Sequence, residues 1–292
     1  MKRMRDINDD EIRVIGGDSG GSGKKRIPWW VWVVTGIVAA GIAILVVHQK
    51  SKSDKEILPS EAPINSSYIP VETDTTDIWL DNTDASLPCA TIKNDTIIDS
   101  IHLQIYTPYN ATPELHVGQL SAKDPDIILA TMAADLRRDN GKIVGAFVLA
   151  GEPLSWGLSK KGYCAIIDGR VTLGMTENSP LFEQATEQGG YFFRQYPSVA
   201  NGVMVENKPE NASFRRALCN LNGKLCIIGC TDRVLMNDFS QALAHLGVSD
   251  AILLVGGTAD GWYRDTEGNM SPIATSTARN AKYINYIVFR KQ

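Results

Sequence analysis

Between Ile27 and Val47 the chain carries no charged residue, IPWWVWVVTGIVAAGIAILVV. At 1.5 Å per residue in a helix, a run of this length crosses a hydrocarbon core of about 30 Å. No other feature constrains the chain as strongly, because a span forces the segments on its two sides into different compartments. Trp29, Trp30 and Trp32 stand at its N-terminal end, where indoles favour the membrane interface. Seven Lys/Arg precede the run (positions 2, 3, 5, 13, 24, 25 and 26) and three stand close after it (50, 52 and 55). The positive-inside bias then predicts a cytoplasmic N-terminus and an extracytoplasmic C-terminal portion. A cleaved signal peptide is the alternative, with a shorter apolar region and a small-x-small site after it. Neither is evident here.

The expected organisation has four parts. Residues 1–26 form a disordered cytoplasmic tail with the linker-like stretch GGDSGGSG. Residues 27–48 form the transmembrane helix, with the lipid bilayer as partner. Residues 49–97 are a polar stalk rich in Ser, Thr, Asp and Pro. Residues 98–292 form one folded domain. The 43% hydrophobic and 21% charged content suits a globular domain. The net charge of −4, without a basic block in the soluble part, argues against a nucleic-acid partner. Five cysteines form no CxxC pair and the four histidines are scattered, so no metal site and no cofactor is expected.

Within the last part, turn chemistry sets out the strands. TIIDSIHLQIYTP partly alternates apolar and polar residues from Thr96, as a strand that Pro108 would end. Asp126–Leu136 reads as one strand and Ile143–Leu154 as another. Tyr163–Gly174 is a hairpin turning at Asp168-Gly169. Arg215–Cys230 is a second hairpin turning at Asn222-Gly223, a pair suited to a type I′ turn. That register puts Cys219 opposite Cys226 and Leu218 opposite Ile227. A Cys219–Cys226 bridge is conceivable outside the cytoplasm and is disfavoured by cross-strand geometry. Met236–Gly247 is helical. The apolar run Ala251–Val255 enters Gly256-Gly257 as a strand buried on both faces, and YINYIVF is a closing strand. The fold class expected is α+β, one large, mainly antiparallel or mixed sheet with a few short helices.

The order of strand, Asn-Gly turn, strand, helix, buried strand and Gly-Gly resembles the C-terminal half of the phosphodiester glycosidase family, the uncovering-enzyme-like domain. There an Arg-Thr-Ala hairpin precedes a helix ending in Leu-Gly and a strand closing on Leu-Asp-Gly-Gly. The resemblance covers roughly residues 98–292. It implies a hydrolase of sugar-1-phosphodiesters in a cell envelope, with a glycan or sugar phosphate as ligand. Arg215 matches the family's arginine, and a guanidinium fork suits a phosphodiester. Gly256, Gly257 and Thr258 would cradle the phosphate. The family's aspartate before Gly-Gly is Val255 here, and its asparagine is missing from Met132-Ala133-Ala134-Asp135. Catalysis would then need another carboxylate, for which Asp232 and Asp260 are the candidates. The alternatives are a non-catalytic relative that binds glycan or protein, and an anchored domain with no such kinship. A structural salt bridge for Arg215 and a turn role for Asp232 stand beside the functional readings. Core packing stands beside sugar stacking for Phe192 and Phe193.

Overall fold

The structure is a computed structural model that describes residues 82–208, 210–256, 259–274 and 282–291. The expected tail, the span at 27–48, most of the stalk, Gly257 and Thr258 lie outside the described residues. Among the described residues no helix is long and apolar enough to cross a membrane.

The first hairpin joins β1 (Ala90–Ile98) to β2 (Ile101–Tyr109). Asp99 and Ser100 both take positive φ, 50° and 66°, the backbone of a tight two-residue hairpin turn. The strand pairing therefore starts earlier than Thr96 and continues through Pro108. The missing N–H is tolerated because Tyr106 is the last β2 residue that pairs on the far side. Next come β3 (Ala111–Val117) and β4 (Ile127–Met132). Ile143–Leu154 is not one strand. It reverses at Ala150-Gly151, with φ of 47° and 84°, into β5 (Ala146–Leu149) and β6 (Glu152–Trp156). The hairpin of β7 (Gly162–Ile167) and β8 (Arg170–Met175) turns at Asp168-Gly169 as expected. Helix α1 (Leu181–Glu187) leads into β9 (Tyr191–Gln195), β10 (Pro197–Ala200) and β11 (Val203–Met204).

The second predicted hairpin is β12 (Arg216–Leu221) with β13 (Lys224–Cys230), and its register pairs Cys219 with Cys226 and Leu218 with Ile227. All five cysteines are free thiols. Helix α2 (Met236–His245) then carries the chain to β14 (Val248–Leu253). Both β13 and β14 run antiparallel to β12, which lies between them. The α2 connection is thus a crossover between two strands that are parallel to each other. The chain closes through β15 (Gly261–Arg264), β16 (Met270–Ala274) and β17 (Asn285–Lys291).

Every described strand pair is antiparallel, but the strands divide into three sheets rather than one. Their orders are β1-β2-β13-β12-β14-β10-β11, β16-β15-β4-β17-β3 and β6-β5-β9-β7-β8. A twisted sheet of so many strands would curl or split. Here all three turn an apolar face into one core, with Leu218 and Ile227, Ile128 and Ile287, and Phe147 and Phe193 contributed by the respective sheets. The outer face of the seven-stranded sheet is covered by α2 through Met236, Phe239, Ala242 and Leu243. Those positions recur at helical spacing along one stripe. Phe192 and Phe193 are fully buried, so they pack the core rather than a sugar ring.

Candidate ligand pocket

Strand register assembles the pocket. Arg216 on β12 lies opposite Gly229 on β13, and Gly229 lies opposite Gln104 on β2. The three therefore stand side by side on one face. Tyr106 is two residues from Gln104 and shares that face. Above this row opens a pocket of about 350 Å³, walled also by Phe214, Arg215, Cys230 and Thr231 and closed on one side by Ile273 and Ala274 of β16. Gly229 keeps the wall open. A Cβ there would meet nothing nearer than the Arg215 carbonyl oxygen at 3.6 Å.

The lining is cationic. Arg216 is 5% exposed. Its Nη1 donates to Thr131 Oγ1 and, at 3.3 Å, to the Ala259 carbonyl. Burial pulls its guanidinium below the usual arginine range, while Tyr106 and Asp260 act in the opposite direction. Arg215 is half-buried, which also lowers its guanidinium. One terminal nitrogen donates to the Asn211 carbonyl, and its buried Nε has no hydrogen-bond partner among the described residues. The Tyr106 hydroxyl donates to Gln104 Oε1 at 2.9 Å, and burial pushes its pKa up to about 12. Cys230 Sγ accepts from the Arg215 amide at 3.0 Å and donates to the Asp232 carbonyl at 3.1 Å. Burial raises this thiol, so it stays protonated near neutrality. No carboxylate lines the pocket among the described residues.

The expected site residues separate in space. Arg215 reaches the pocket. Asp232 does not line it: the carboxylate is exposed and faces His102 Nδ1 at 2.9 Å. Asp260 does not line it either; its charge favours the charged form of Arg216, and its Oδ2 lies 3.4 Å from the Tyr286 hydroxyl. Gly256 has a packing reason to be glycine, since a Cβ would sit 2.6 Å from the Phe214 carbonyl oxygen. Gly257 and Thr258 lie outside the described residues. Val255 donates its amide to the Ala133 carbonyl at 3.3 Å, so the two places where the sequence departs from the family pattern are neighbours.

Sequence reasoning missed Arg216, Gln104 and Tyr106. The first was within reach, because the Asn222-Gly223 register already set Arg216 opposite Gly229. The other two needed the long-range pairing of β2 with β13. A further polar group, Lys160, also escaped notice. Its side chain is 1% exposed, and its ammonium is held by Asp135, by Gln195 Oε1 at 3.1 Å and by the Tyr196 ring at 4.7 Å. With these partners it ties the loop before β7 to the end of β9.

The fold has solved counterparts. The catalytic domain of zebrafish N-acetylglucosamine-1-phosphodiester alpha-N-acetylglucosaminidase, auto-inhibited by its pro-peptide, is similar with a TM-score of 0.51 and 13% identity, over 72% of this chain and 85% of that one. A hypothetical protein from Synechocystis is similar with a TM-score of 0.50 and 14% identity, over 68% of this chain and 62% of that one. No protein-family model matches the chain, and no curated protein matches it in sequence. At such identities the likeness concerns the fold, which is distantly that of a phosphodiester glycosidase.

Proposed function

We propose that this chain is a single-pass, extracytoplasmic relative of the phosphodiester glycosidases, anchored in the bilayer through residues 27–48, that binds an anionic envelope glycan without hydrolysing it. The observation that carries the reading is the pocket itself: two guanidinia and no carboxylate among its described lining residues. Glycosidic or phosphodiester cleavage needs a proton donor or base at the scissile oxygen. Val255 supplies none where the family has its aspartate. The cationic wall suits a sugar phosphate. A second reading, an active hydrolase with a relocated carboxylate, is favoured by one observation, the charge of Asp260 acting on Arg216.

The test uses the full chain in detergent micelles with a panel of sugar-1-phosphodiesters, measuring sugar release and binding together. The binding reading expects no turnover, and affinity reduced by at least about tenfold in Arg215→Ala, the loss of one charge-assisted contact. Asp232→Ala should bind as the wild type does. Turnover that disappears in Asp260→Ala would establish the hydrolase instead.

A further inference from the structure

We infer that one end of the β6-β5-β9-β7-β8 sheet is a docking surface for a bilayer with anionic headgroups, entered by Trp156 and Leu158. The contact is separate from the pocket and from the reading given to it. The anchor proposed above would keep a bilayer within reach, but the contact does not require it.

Strand register brings the parts of this end together. Trp156 on β6 lies opposite Ala146 on β5. Gly162, which opens β7, lies opposite Gln195 on β9 and Met175 on β8. Residues 157–161 cross this end from β6 to β7. Trp156 is 65% exposed, Leu158 69% and Met175 39%. Single exposed apolar side chains are ordinary. Three at one sheet end, two of them from one short stretch, form a patch of the kind that marks a contact.

The crossing loop is fixed from within. Gly157 packs on Gly145, where an added Cβ would stand 3.2 Å from the Gly145 Cα. Lys160 takes a left-handed backbone, φ 71°, and its buried ammonium is held by Asp135 and Gln195. Its carbonyl accepts from Arg194 Nη1 at 3.1 Å, and Arg194 is itself buried. Left-handed backbone at a non-glycine residue is costly and persists where its surroundings over-determine it. Here they pin both sides of Leu158, so its side chain stays in water instead of folding back on the sheet.

The charge beside the patch selects the partner. Loop 137–142 adjoins it, because Leu136 bridges Ile143 and Ser155 Oγ donates to the Ile143 carbonyl at 3.3 Å. Around this end Lys160 is paired with Asp135, Arg137 with Asp139 and Lys161 with Glu177. Arg138 and Lys142, both exposed, make no ion pair among the described residues. Apolar side chains and unpaired cations therefore stand together. An indole favours the headgroup layer of a bilayer. Each basic residue close to an anionic lipid surface strengthens binding roughly fivefold.

The full chain is reconstituted by detergent removal into vesicles of phosphatidylcholine with phosphatidylglycerol, and of phosphatidylcholine alone, each with and without brominated acyl chains. The fluorescence that the wild type has in excess of Trp156→Phe isolates this indole from the other tryptophans. In anionic vesicles it should shift to the blue and lose at least about half its intensity to the bromines, and several-fold less in neutral ones. Arg138→Glu with Lys142→Glu should bring the quenching in anionic vesicles down to the neutral level. Leu158→Ser should weaken it in both. The thermal melts of these variants should match the wild type, since the side chains are exposed.

Trp156 emission that stays at the wavelength of an indole in water and is unquenched in both lipids overturns the inference. If the chain nevertheless stays with the vesicles, the anchor survives and only this contact fails. Quenching that is equal in the two lipids, or indifferent to the double charge reversal, overturns the anionic assignment. A blue shift that follows protein concentration without lipid gives the patch to a second copy of this chain and overturns the inference too.

Discussion

Gly229 and Gly256 both stand against the backbone of Phe214–Arg216 and should respond to alanine in opposite ways. Neither has a positive φ, so backbone strain does not distinguish them, and space does. At Gly256 the added Cβ would stand 2.6 Å from the Phe214 carbonyl oxygen, with Arg215 Cα at 3.5 Å and Arg216 N at 3.6 Å. A comfortable carbon–oxygen approach is about 3.3–3.6 Å, so something must move by most of an ångström. All three neighbours are backbone, and the segment is fixed close by, where Leu254 N donates to the Arg216 carbonyl at 2.8 Å. Overpacking of this kind costs about 1–3 kcal/mol, and a site walled by backbone belongs at the upper end. The lower entropy of the unfolded alanine chain returns about 0.4–1 kcal/mol. The net loss is about 2 kcal/mol, or roughly 4–8 °C in Tm for a domain of this size. At Gly229 only the favourable entropy applies, because the nearest atom is at ordinary contact distance, 3.6 Å. Gly229→Ala should match or slightly exceed the wild type. Urea denaturation and thermal melts of both variants decide the matter. Equal stability of Gly256→Ala and wild type would refute the packing account of that glycine and return it to the ligand-cradling role expected from the sequence.

Three further outcomes concern buried groups. Arg216→Met should destabilise by about 1–3 kcal/mol, since it leaves the buried Thr131 hydroxyl and the Ala259 carbonyl without their donor. The loss should shrink in a Thr131→Val background, and additive losses in urea titrations would contradict the coupling. Thiol labelling should find Cys89 reactive in the folded chain and all five cysteines reactive after denaturation, because the other four are buried; a Cys219–Cys226 bridge would lower the second count by two. Tyr106 and Tyr286 both have their pKa pushed up to about 12 from an ordinary 10, chiefly by burial. The folded state thus keeps protons that the unfolded chain gives up. Their contribution is complete below pH 10 and is lost as pH climbs towards 12, about 2–3 kcal/mol per tyrosine at most. Tyr106→Phe should flatten the decline of the urea midpoint between pH 9 and pH 11, and an unaltered slope would count against it.

The features legible in the sequence were local ones. Asp168-Gly169 and Asn222-Gly223 each combine a residue tolerant of positive φ with a glycine, so they fix a turn, a register and the inward faces of two hairpins without help from the rest of the chain. The α2 stripe is local for the same reason. The division into three sheets was not legible, because Ile227 and Ile287 have the same apolar character whichever sheet they join. Nor was the neighbourhood of Tyr106, set by a pairing of β2 with β13 across more than a hundred residues. Gly256 shows the opposite error. A glycine at a strand end signals close approach, but the sequence does not say whether the approaching atom belongs to a ligand or, as here, to the Phe214 carbonyl.

The meeting of Val255 with Ala133 bears on function more than either residue does alone. One apolar replacement in a family pattern is compatible with drift around a working site. Here the two departures adjoin, joined amide to carbonyl, and the backbone around them is held from within the protein. Gln195 Nε2 donates to the Ala133 carbonyl at 3.4 Å, and Asn285 brackets Ala134 through its amide and carbonyl at 2.7 and 3.1 Å. Ala133 and Ala134 are fully buried. Polar groups that a ligand or a catalytic side chain could have engaged are satisfied by the scaffold instead, and buried groups satisfied in this way rigidify a structure. Arg215, which makes no ion pair among the described residues, stands in the pocket wall. Asp135, the acidic residue beside this junction, is itself committed to Lys160. On the proposed reading, recognition of an anion falls to Arg215, and cleavage would need a carboxylate that the described lining of the pocket does not hold.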